Sequence, residues 1–196
     1  VKIAGTKLQQ TGPILITHWG FSGPAVLKTS AFAARILQEK NYDTNILINW
    51  LKDATEADLK EMFQEQRQVN GKGMLWTKNA FGLPRRLWEF FLSRIGIAEH
   101  MRWGELPVTA QQKLITTLHA DPYQMRGKTT FKEEFVTCGG VSLSQINPQT
   151  LESRIAPGLF FAGECIDVDG ITGGYNFQHA WASGWIAAKH LGGINH

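Results

Sequence analysis

Closely spaced glycines and prolines divide the last third of the chain into short segments, and this feature restricts the fold more than any other. Glycine permits positive φ angles and lets the backbone approach another group closely. Such a density of breaks is typical of a backbone that turns tightly around a bound ligand. The breaks fall at Gly139-Gly140, Asn147-Pro148, Pro157-Gly158, Gly163, Gly170 and Gly173-Gly174.

Residues 157–184, PGLFFAGECIDVDGITGGYNFQHAWASG, are the most informative block of the sequence. The apolar residues 159–162 predict a buried strand, and residues 175–191 predict a helix rich in Ala, Gly and Trp. Trp181 and Trp185 lie four apart on one face of that helix, so they are expected to be core residues. Ligands of open α/β sheets bind at the carboxyl ends of strands, which is where this block places its acidic loop.

The candidate ligand-binding residues flank that loop. Glu164 can accept hydrogen bonds from sugar-like hydroxyls, and Gly163 allows a close approach. The free amides at the start of the helix present donors and the positive end of a dipole. A turn-forming or capping role is the alternative for these residues. The full candidate set is Gly163, Glu164, Gly173, Gly174, Tyr175, Asn176 and Phe177.

Other reactive side chains near this block receive weaker predictions. Asp167 and Asp169 lack the further oxygen ligands of a calcium loop and are expected to form turns, so no metal site is predicted. His18 and His179 are candidate proton donors, but a structural role is expected first because no partner carboxylate can be assigned. Cys165 is expected to be a small apolar filler. The catalytic residues stay unknown.

The rest of the chain alternates strand and helix patterns. Residues 13–19 and 45–51 predict strands, and Ser22 is expected to cap a helix after the first of them. Residues 55–69, 84–95 and 109–118 predict helices, which together indicate a helical lobe at about 55–118. A strand pattern returns around residues 123–126 and 131–138.

Composition excludes several classes of protein. Twenty Lys and Arg against 17 Asp and Glu give a net charge of +3 spread along the chain, so no nucleic-acid partner is expected. The densest basic stretch, residues 83–88, predicts a helix with a solvated cationic edge, with phosphate binding as the alternative. Two cysteines are too few for a disulfide framework, which favours a cytoplasmic location. No apolar run approaches the ~18 residues of a membrane span.

Three separated motifs resemble the HI0933-like flavoproteins, also described as aminoacetone oxidase-like or BaiN-like NAD(P)/FAD-dependent oxidoreductases. The motifs are ILITHWGFSGPAVL from Ile14, EEFVTCGGVSLSQINPQTLESRIAPGLFFAGECIDVDG from Glu133 and GGYNFQHAWASG from Gly173. The resemblance implies a bacterial flavoprotein of mixed α+β and α/β character. It also implies a small β-barrel-like insert with a helical subdomain, followed by the C-terminal strand-loop-helix part of a Rossmann-like FAD domain.

On that template residues 1–137 are the insert and residues 138–196 are the returning end of the FAD domain. Glu164 takes the position that contacts the ribityl chain, and the backbone of residues 173–177 faces the pyrimidine edge of the isoalloxazine. The family's N-terminal GxGxxG turn has no counterpart here, since the nearest string, GKGMLW from Gly71, lacks the third glycine. We therefore expect a fragment of the enzyme, inactive by itself, with FAD absent or weakly bound.

Two functions follow as expectations from the resemblance. The first is an FAD-dependent oxidoreductase that transfers electrons between NAD(P)H or a small organic substrate and an acceptor. The alternative is an insert that binds a macromolecule, RNA or protein, in a flavin-dependent modification protein. A contiguous basic stripe on the insert would favour the alternative. Oligomeric state is not predicted.

Overall fold

Helix α3 opens the helical part of the chain because the sequence supplies a strong start signal. This computed structural model describes residues 1–52, 54–127, 137–171 and 173–192. Helix α3 spans Glu56–Asn70. The Asp58 amide donates to Thr55 Oγ1 at 3.2 Å, and the Thr55 amide donates to Asp58 Oδ2 at 2.8 Å. This reciprocal capping box satisfies two amides that the helix leaves free.

Helices α4 (Arg85–Ile95) and α5 (Val108–Ala120) complete a helical lobe around an aromatic core. Trp88 and Trp103 are fully buried and stack with ring centroids 6.3 Å apart and planes 11° apart. Phe63 and Phe81 pack against them, with ring centroids 5.0 Å apart. Burying such a side chain stabilises the fold by about 1.5–3 kcal/mol, so this cluster holds the lobe together.

A three-stranded sheet has β4 (Asp43–Ile48) in its centre, between β1 (Lys2–Ile3) and β5 (Asp121–Arg126). Strands β1 and β4 are antiparallel, with Lys2 opposite Leu47 and Ile3 opposite Ile46. Ile3 and Ile48 are buried, as the alternating pattern of a sheet with one covered face requires.

The chain divides into two units that do not follow the chain order. The first comprises Val1–Gly12 and Thr44–Met125, and the second comprises Pro13–Asp43 and the segment from Arg126 onward. The segment Pro13–Asp43 therefore makes its contacts with the C-terminal part, whereas the sequence placed it in an insert ending at residue 137. This grouping differs from the predicted one, and the boundary at 137 stays a prediction.

The second unit contains an antiparallel hairpin and three helices. The hairpin pairs β2 (Leu15–Thr17) with β3 (Gly20–Ser22). The helices are α1 (Pro24–Phe32), α2 (Ala34–Glu39) and α6 (Tyr175–Leu191). The prediction of Ser22 as a cap is wrong, because Gly23 occupies that position with φ of 96°. A Cβ on Gly23 would lie 2.9 Å from the Leu15 amide nitrogen, so the close approach of β2 requires glycine.

The helices predicted at residues 55–69, 84–95, 109–118 and 175–191 are confirmed, and α6 has the predicted bounds. The single helix predicted after Ser22 is instead divided at Ala33 into α1 and α2. The strand at residues 159–162 is wrong: only an isolated bridge joins Phe160 to Glu152, and Leu159 is 48% exposed. An apolar run becomes a strand only beside a partner strand, and the described residues provide none there. Most of the strand predicted at residues 131–138 lies outside the described residues.

Candidate functional site

A 3₁₀ turn, Gly163–Cys165, lies against α6 and carries Glu164. The Gly163 amide donates to Ser183 Oγ at 2.8 Å, and Ser183 Oγ donates to the His179 carbonyl at 2.7 Å. Ser183 is only 3% exposed, so this link fixes the turn to the third turn of the helix. Gly163 has φ of 79°, a conformation that favours glycine.

The same loop is also joined to the segment around Val141. Val141 and Ile166 form a parallel bridge, in which the Val141 amide donates to the Cys165 carbonyl at 2.8 Å and the Asp167 amide donates to the Val141 carbonyl at 3.0 Å. These two backbone hydrogen bonds hold the loop on either side of Ile166 against the segment around Val141.

The Glu164 carboxylate is open to solvent. It is exposed, and its Oε1 accepts a long hydrogen bond of 3.3 Å from the Thr137 amide. Carboxylate oxygens accept more than one hydrogen bond each, so Glu164 retains capacity for hydroxyl donors of a ligand.

The start of α6 presents unsatisfied amides. Gly174 is the residue before the helix, with φ of 93°, and no side chain caps the first turn. The first amides of a helix have no acceptor within it, so those of Tyr175, Asn176 and Phe177 are free to meet a ligand. Tyr175 is 60% exposed and Phe177 is 69% exposed, which leaves this helix start open.

The Asn176 side chain binds the loop that precedes the helix. Its Oδ1 accepts from the Gly170 amide at 2.7 Å, and its Nδ2 donates to the Gly170 carbonyl at 3.2 Å. Both polar atoms of the side-chain amide are therefore used to hold the loop. Only the Asn176 backbone remains available to a ligand.

Arg35 of α2 anchors the acidic loop from the other side. Its Nη2 donates to both oxygens of Asp167, at 2.7 and 2.6 Å. Asp169 forms a hydrogen bond with Cys138 that raises the pKa of that thiol, and Arg35 also contacts Cys138. These partners could not be predicted from local sequence, because Arg35 is 132 residues away from Asp167.

His179 carries a buried ring nitrogen without a partner. Within the described residues, its Nε2 is buried and forms no hydrogen bond. His179 lies on the face of α6 that packs toward Gly163, one turn before Ser183. His18, the other histidine considered from the sequence, lies exposed in the turn between β2 and β3.

The prediction that Trp181 and Trp185 are core residues is wrong. They do share a helical face, but they are 71% and 66% exposed, and Phe177 stacks on Trp181 at 6.3 Å. Cys165 is exposed as well, with its Sγ donating to the Ala162 carbonyl at 3.1 Å, so it is not an apolar filler. The four-residue spacing predicted correctly that the two tryptophans share a face of α6. Spacing alone cannot show whether another element covers that face.

The structure fixes the turn that carries Gly163 and Glu164 to the third turn of α6, the helix whose start carries Gly174 to Phe177. The residues present fit a flavin, because they combine backbone at positive φ, free amides, an open carboxylate and an unpaired buried imidazole nitrogen. Sequence reasoning missed Ser183 and Arg35 as the residues that hold this arrangement.

Three further observations limit the chemistry of the described part of the chain. It contains no group of three His, Cys, Asp or Glu side chains placed to hold a metal ion. None of its helices is long and apolar enough to cross a membrane. A shallow pocket of about 560 Å³ lies between α4 and α5, lined by polar residues that include Arg94 and Lys113.

The described residues form a mixed α/β chain with small sheets, and comparison with known families gives its class. The family model described as "HI0933-like protein barrel and H2TH domain" matches residues 1–136. The chain therefore belongs to the HI0933-like family, as its motifs indicated.

Individual relatives are more specific. The chain is 39% identical over 178 residues to the "Ribosomal RNA dihydrouridine synthase" of Escherichia coli (strain K12), a match that covers 91% of this chain and 42% of the relative. It is 31% identical, with the same coverage, to the protein of the same name from Haemophilus influenzae. It is 29% identical to the "3-dehydro-bile acid delta(4,6)-reductase" of Clostridium scindens, over 92% of this chain and 44% of that protein. The chain spans about two fifths of the length of these curated relatives.

Proposed function

We propose that the protein carrying this chain is an FAD-dependent oxidoreductase that reduces uridine to dihydrouridine in ribosomal RNA. The observation that carries the proposal is the 39% identity, over 178 residues, to a protein with that name. The two expectations from the sequence are thereby combined: the flavin chemistry comes from the first, and the RNA substrate comes from the alternative. The expectation of no nucleic-acid partner is given up in this proposal.

The names of the relatives support one type of reaction. A dihydrouridine synthase and a steroid delta(4,6)-reductase both add two hydrogens to a carbon–carbon double bond conjugated with a carbonyl. Such a reduction needs a hydride for one carbon and a proton for the other. Bound FAD would supply the hydride after accepting it from NAD(P)H, and the protein would supply orientation and electrostatics.

Glu164 and the start of α6 have separate tasks in this proposal. Glu164 accepts hydrogen bonds from the ribityl hydroxyls, because it is exposed and only weakly engaged with Thr137. The amides of residues 175–177 donate to the pyrimidine edge of the ring, where the positive end of the helix dipole opposes negative charge.

The domain division is also proposed. Residues 1–137 correspond to the family's insert, and the family match ends at residue 136. Residues 138–196 are then the returning end of a Rossmann-like FAD domain. The partial parallel pairing at Val141 and Ile166 supports this reading.

The test is the modification of ribosomal RNA in cells. The gene for the protein carrying this chain is expressed in bacteria whose own ribosomal RNA dihydrouridine synthase has been deleted, and dihydrouridine is measured by mass spectrometry of digested ribosomal RNA. We expect the modified nucleoside to return. Normal expression of a folded, flavin-containing protein without any dihydrouridine would refute the proposed substrate.

Glu164→Ala tests the cofactor assignment in the same protein. Each lost hydrogen bond to a charged acceptor contributes about 1.5–3 kcal/mol, so the dissociation constant for FAD should rise about tenfold or more. Glu39→Ala, which removes an exposed carboxylate at the end of α2, is the matched control and should leave FAD binding unchanged. Wild-type FAD affinity in a folded Glu164→Ala protein would show that this side chain does not hold the cofactor.

A further inference from the structure

The segment that joins α3 to α4 has an unusual charge. Residues 67–86, RQVNGKGMLWTKNAFGLPRR, contain five Lys and Arg and no Asp or Glu. Two of these cations are engaged within the lobe. Arg67 donates to Gln111 Oε1 and to the Leu106 carbonyl, and Arg85 pairs with Glu89 at 2.7 Å. Of the other three, Arg86 belongs to α4, whereas Lys72 and Lys78 lie in the loop between the two helices and are exposed. Lys78 Nζ donates to the uncharged Asn70 Oδ1 at 3.1 Å.

A second loop adds a third cation beside them. Met74 and Arg102 are partners in an antiparallel bridge, so their side chains leave the backbone on the same side. Arg102 is exposed, and Met74 is 44% exposed. The side chains of Lys72, Lys78 and Arg102 form what we call the basic platform. Among the described residues, no carboxylate forms an ion pair with any of the three.

The platform has a rigid base. The Trp103 amide donates to the Gly73 carbonyl at 3.0 Å, and the Gly104 amide donates to the Gly71 carbonyl at 2.9 Å. A Cβ on Gly71 would lie 2.6 Å from the Arg67 carbonyl oxygen, so this close packing requires glycine. Buried Trp103 also donates from Nε1 to the Lys78 carbonyl at 3.3 Å. The aromatic core of the lobe therefore fixes the backbone from which the cations extend.

We propose that the basic platform is a docking surface for the phosphate backbone of RNA, an inference that rests on the proposed function and extends it. Phosphate contacts by Lys and Arg position a protein on nucleic acid without reading its sequence. Three cations that have no carboxylate partner among the described residues, on a fixed base, suit that task, because little order has to be imposed on the backbone when RNA binds. Exposed Met74 between them offers an apolar contact for a sugar or base.

The experiment uses the protein carrying this chain and a fluorescein-labelled hairpin RNA, followed by fluorescence anisotropy at several salt concentrations. The test variant is Lys72→Gln/Lys78→Gln/Arg102→Gln. The matched control is Lys7→Gln/Lys40→Gln/Lys52→Gln, which removes three other exposed cations. Lys52 precedes the N-terminal end of α3, whereas Lys72 follows its C-terminal end. The helix separates the two because it is about 20 Å long at 1.5 Å per residue.

Losing three phosphate contacts should weaken RNA binding roughly ten- to thirtyfold at moderate salt. The plot of log K, where K is the association constant for RNA, against log salt concentration should become less steep by about two. The control should keep the wild-type slope. The charge-conserving variant Lys72→Arg/Lys78→Arg/Arg102→Lys should bind like wild type. If the glutamine variant is not folded by circular dichroism, the three single variants replace it, each lowering the slope by about 0.7–0.9.

Dihydrouridine formation, measured on the same proteins, separates this inference from the proposed function. A rise in KM without loss of kcat in the platform variant supports both. In another outcome, the platform variant keeps the wild-type KM and salt slope and still forms dihydrouridine. That result would refute the RNA-docking role of the basic platform and leave the proposed function intact. Platform-dependent RNA binding without any dihydrouridine keeps the docking surface and refutes the function. Equal affinity of the wild-type protein for poly-glutamate and RNA assigns the surface to an acidic protein partner and overturns the proposal.

Discussion

Replacement of Asp121 by Asn should destabilise the first unit, because Asp121 is a buried carboxylate that accepts hydrogen bonds from Arg94 and Trp50. Its side chain is 3% exposed, and Arg94 Nη2 donates to its Oδ1 at 2.7 Å. Trp50 Nε1 donates to Oδ2 at 3.0 Å. These bonds join α4 and the segment after β4 to the start of β5.

The expected loss is about 2 kcal/mol of unfolding free energy. A hydrogen bond to a charged group contributes about 1.5–3 kcal/mol, and the lower end applies because the Arg94 side chain is 32% exposed to screening solvent. Asparagine keeps one acceptor but turns its NH₂ donor toward either Arg94 or Trp50, so one of the two hydrogen bonds is replaced by two donors that face each other. Asp121→Ala, which loses both bonds, should cost about 3 kcal/mol.

Urea unfolding followed by far-ultraviolet circular dichroism measures this effect. Glu89→Gln is the control, because it makes the same chemical change in the pair with Arg85, whose side chain is 84% exposed. That control should lose less than about 0.5 kcal/mol. A double-mutant cycle with Arg94→Met isolates the coupling between the two charges. A loss below about 1 kcal/mol for Asp121→Asn would refute the reasoning that burial makes this pair strong.

Two further predictions concern ionisation and electron transfer. The pKa of Tyr123 is raised to about 12, chiefly by burial and secondly by a hydrogen bond with Asp121. One of the three tyrosines should therefore ionise late in a spectrophotometric titration, and Tyr123→Phe should abolish that late step. Because the pKa is raised in the folded state, the associated stability is present below pH 10.0 and is lost as the pH rises through about 12. In the flavin-loaded protein, Gly174→Val should lower the midpoint potential more than it weakens FAD binding, because valine resists the φ of 93° and shifts the donating amides. A redox titration beside an FAD titration checks this, and an unchanged potential with intact binding would mean that α6 does not point at the ring.

The sequence predicted the helices well because their signals are local. Thr55 and Asp58 form a capping box that can be read from their spacing, and Gly96 ends α4 with φ of 82°. Helix α6 begins after a glycine pair and ends before another glycine, so its bounds were predictable. The family motifs also gave the position of Glu164 and of the open helix start.

Long-range partners could not be predicted. The link from Gly163 to Ser183 and the pair between Arg35 and Asp167 join residues that nothing in their local sequence connects. The same limit explains the two errors in the C-terminal region. Residues 159–162 have the apolar character of a strand but lack a neighbouring strand, and Trp181 has the spacing of a core residue but is exposed.

The amino-acid sequence by itself determined the family and the helical lobe, because these depend on short-range patterns of glycine, capping residues and apolar periodicity. Only the tertiary structure decided that Asn176 holds Gly170, that His179 Nε2 is left unpaired, and that Arg102 lies beside the cations after α3. The physical reason is that hydrogen bonds and charge clusters depend on distances in space, which chain folding sets and local sequence does not encode.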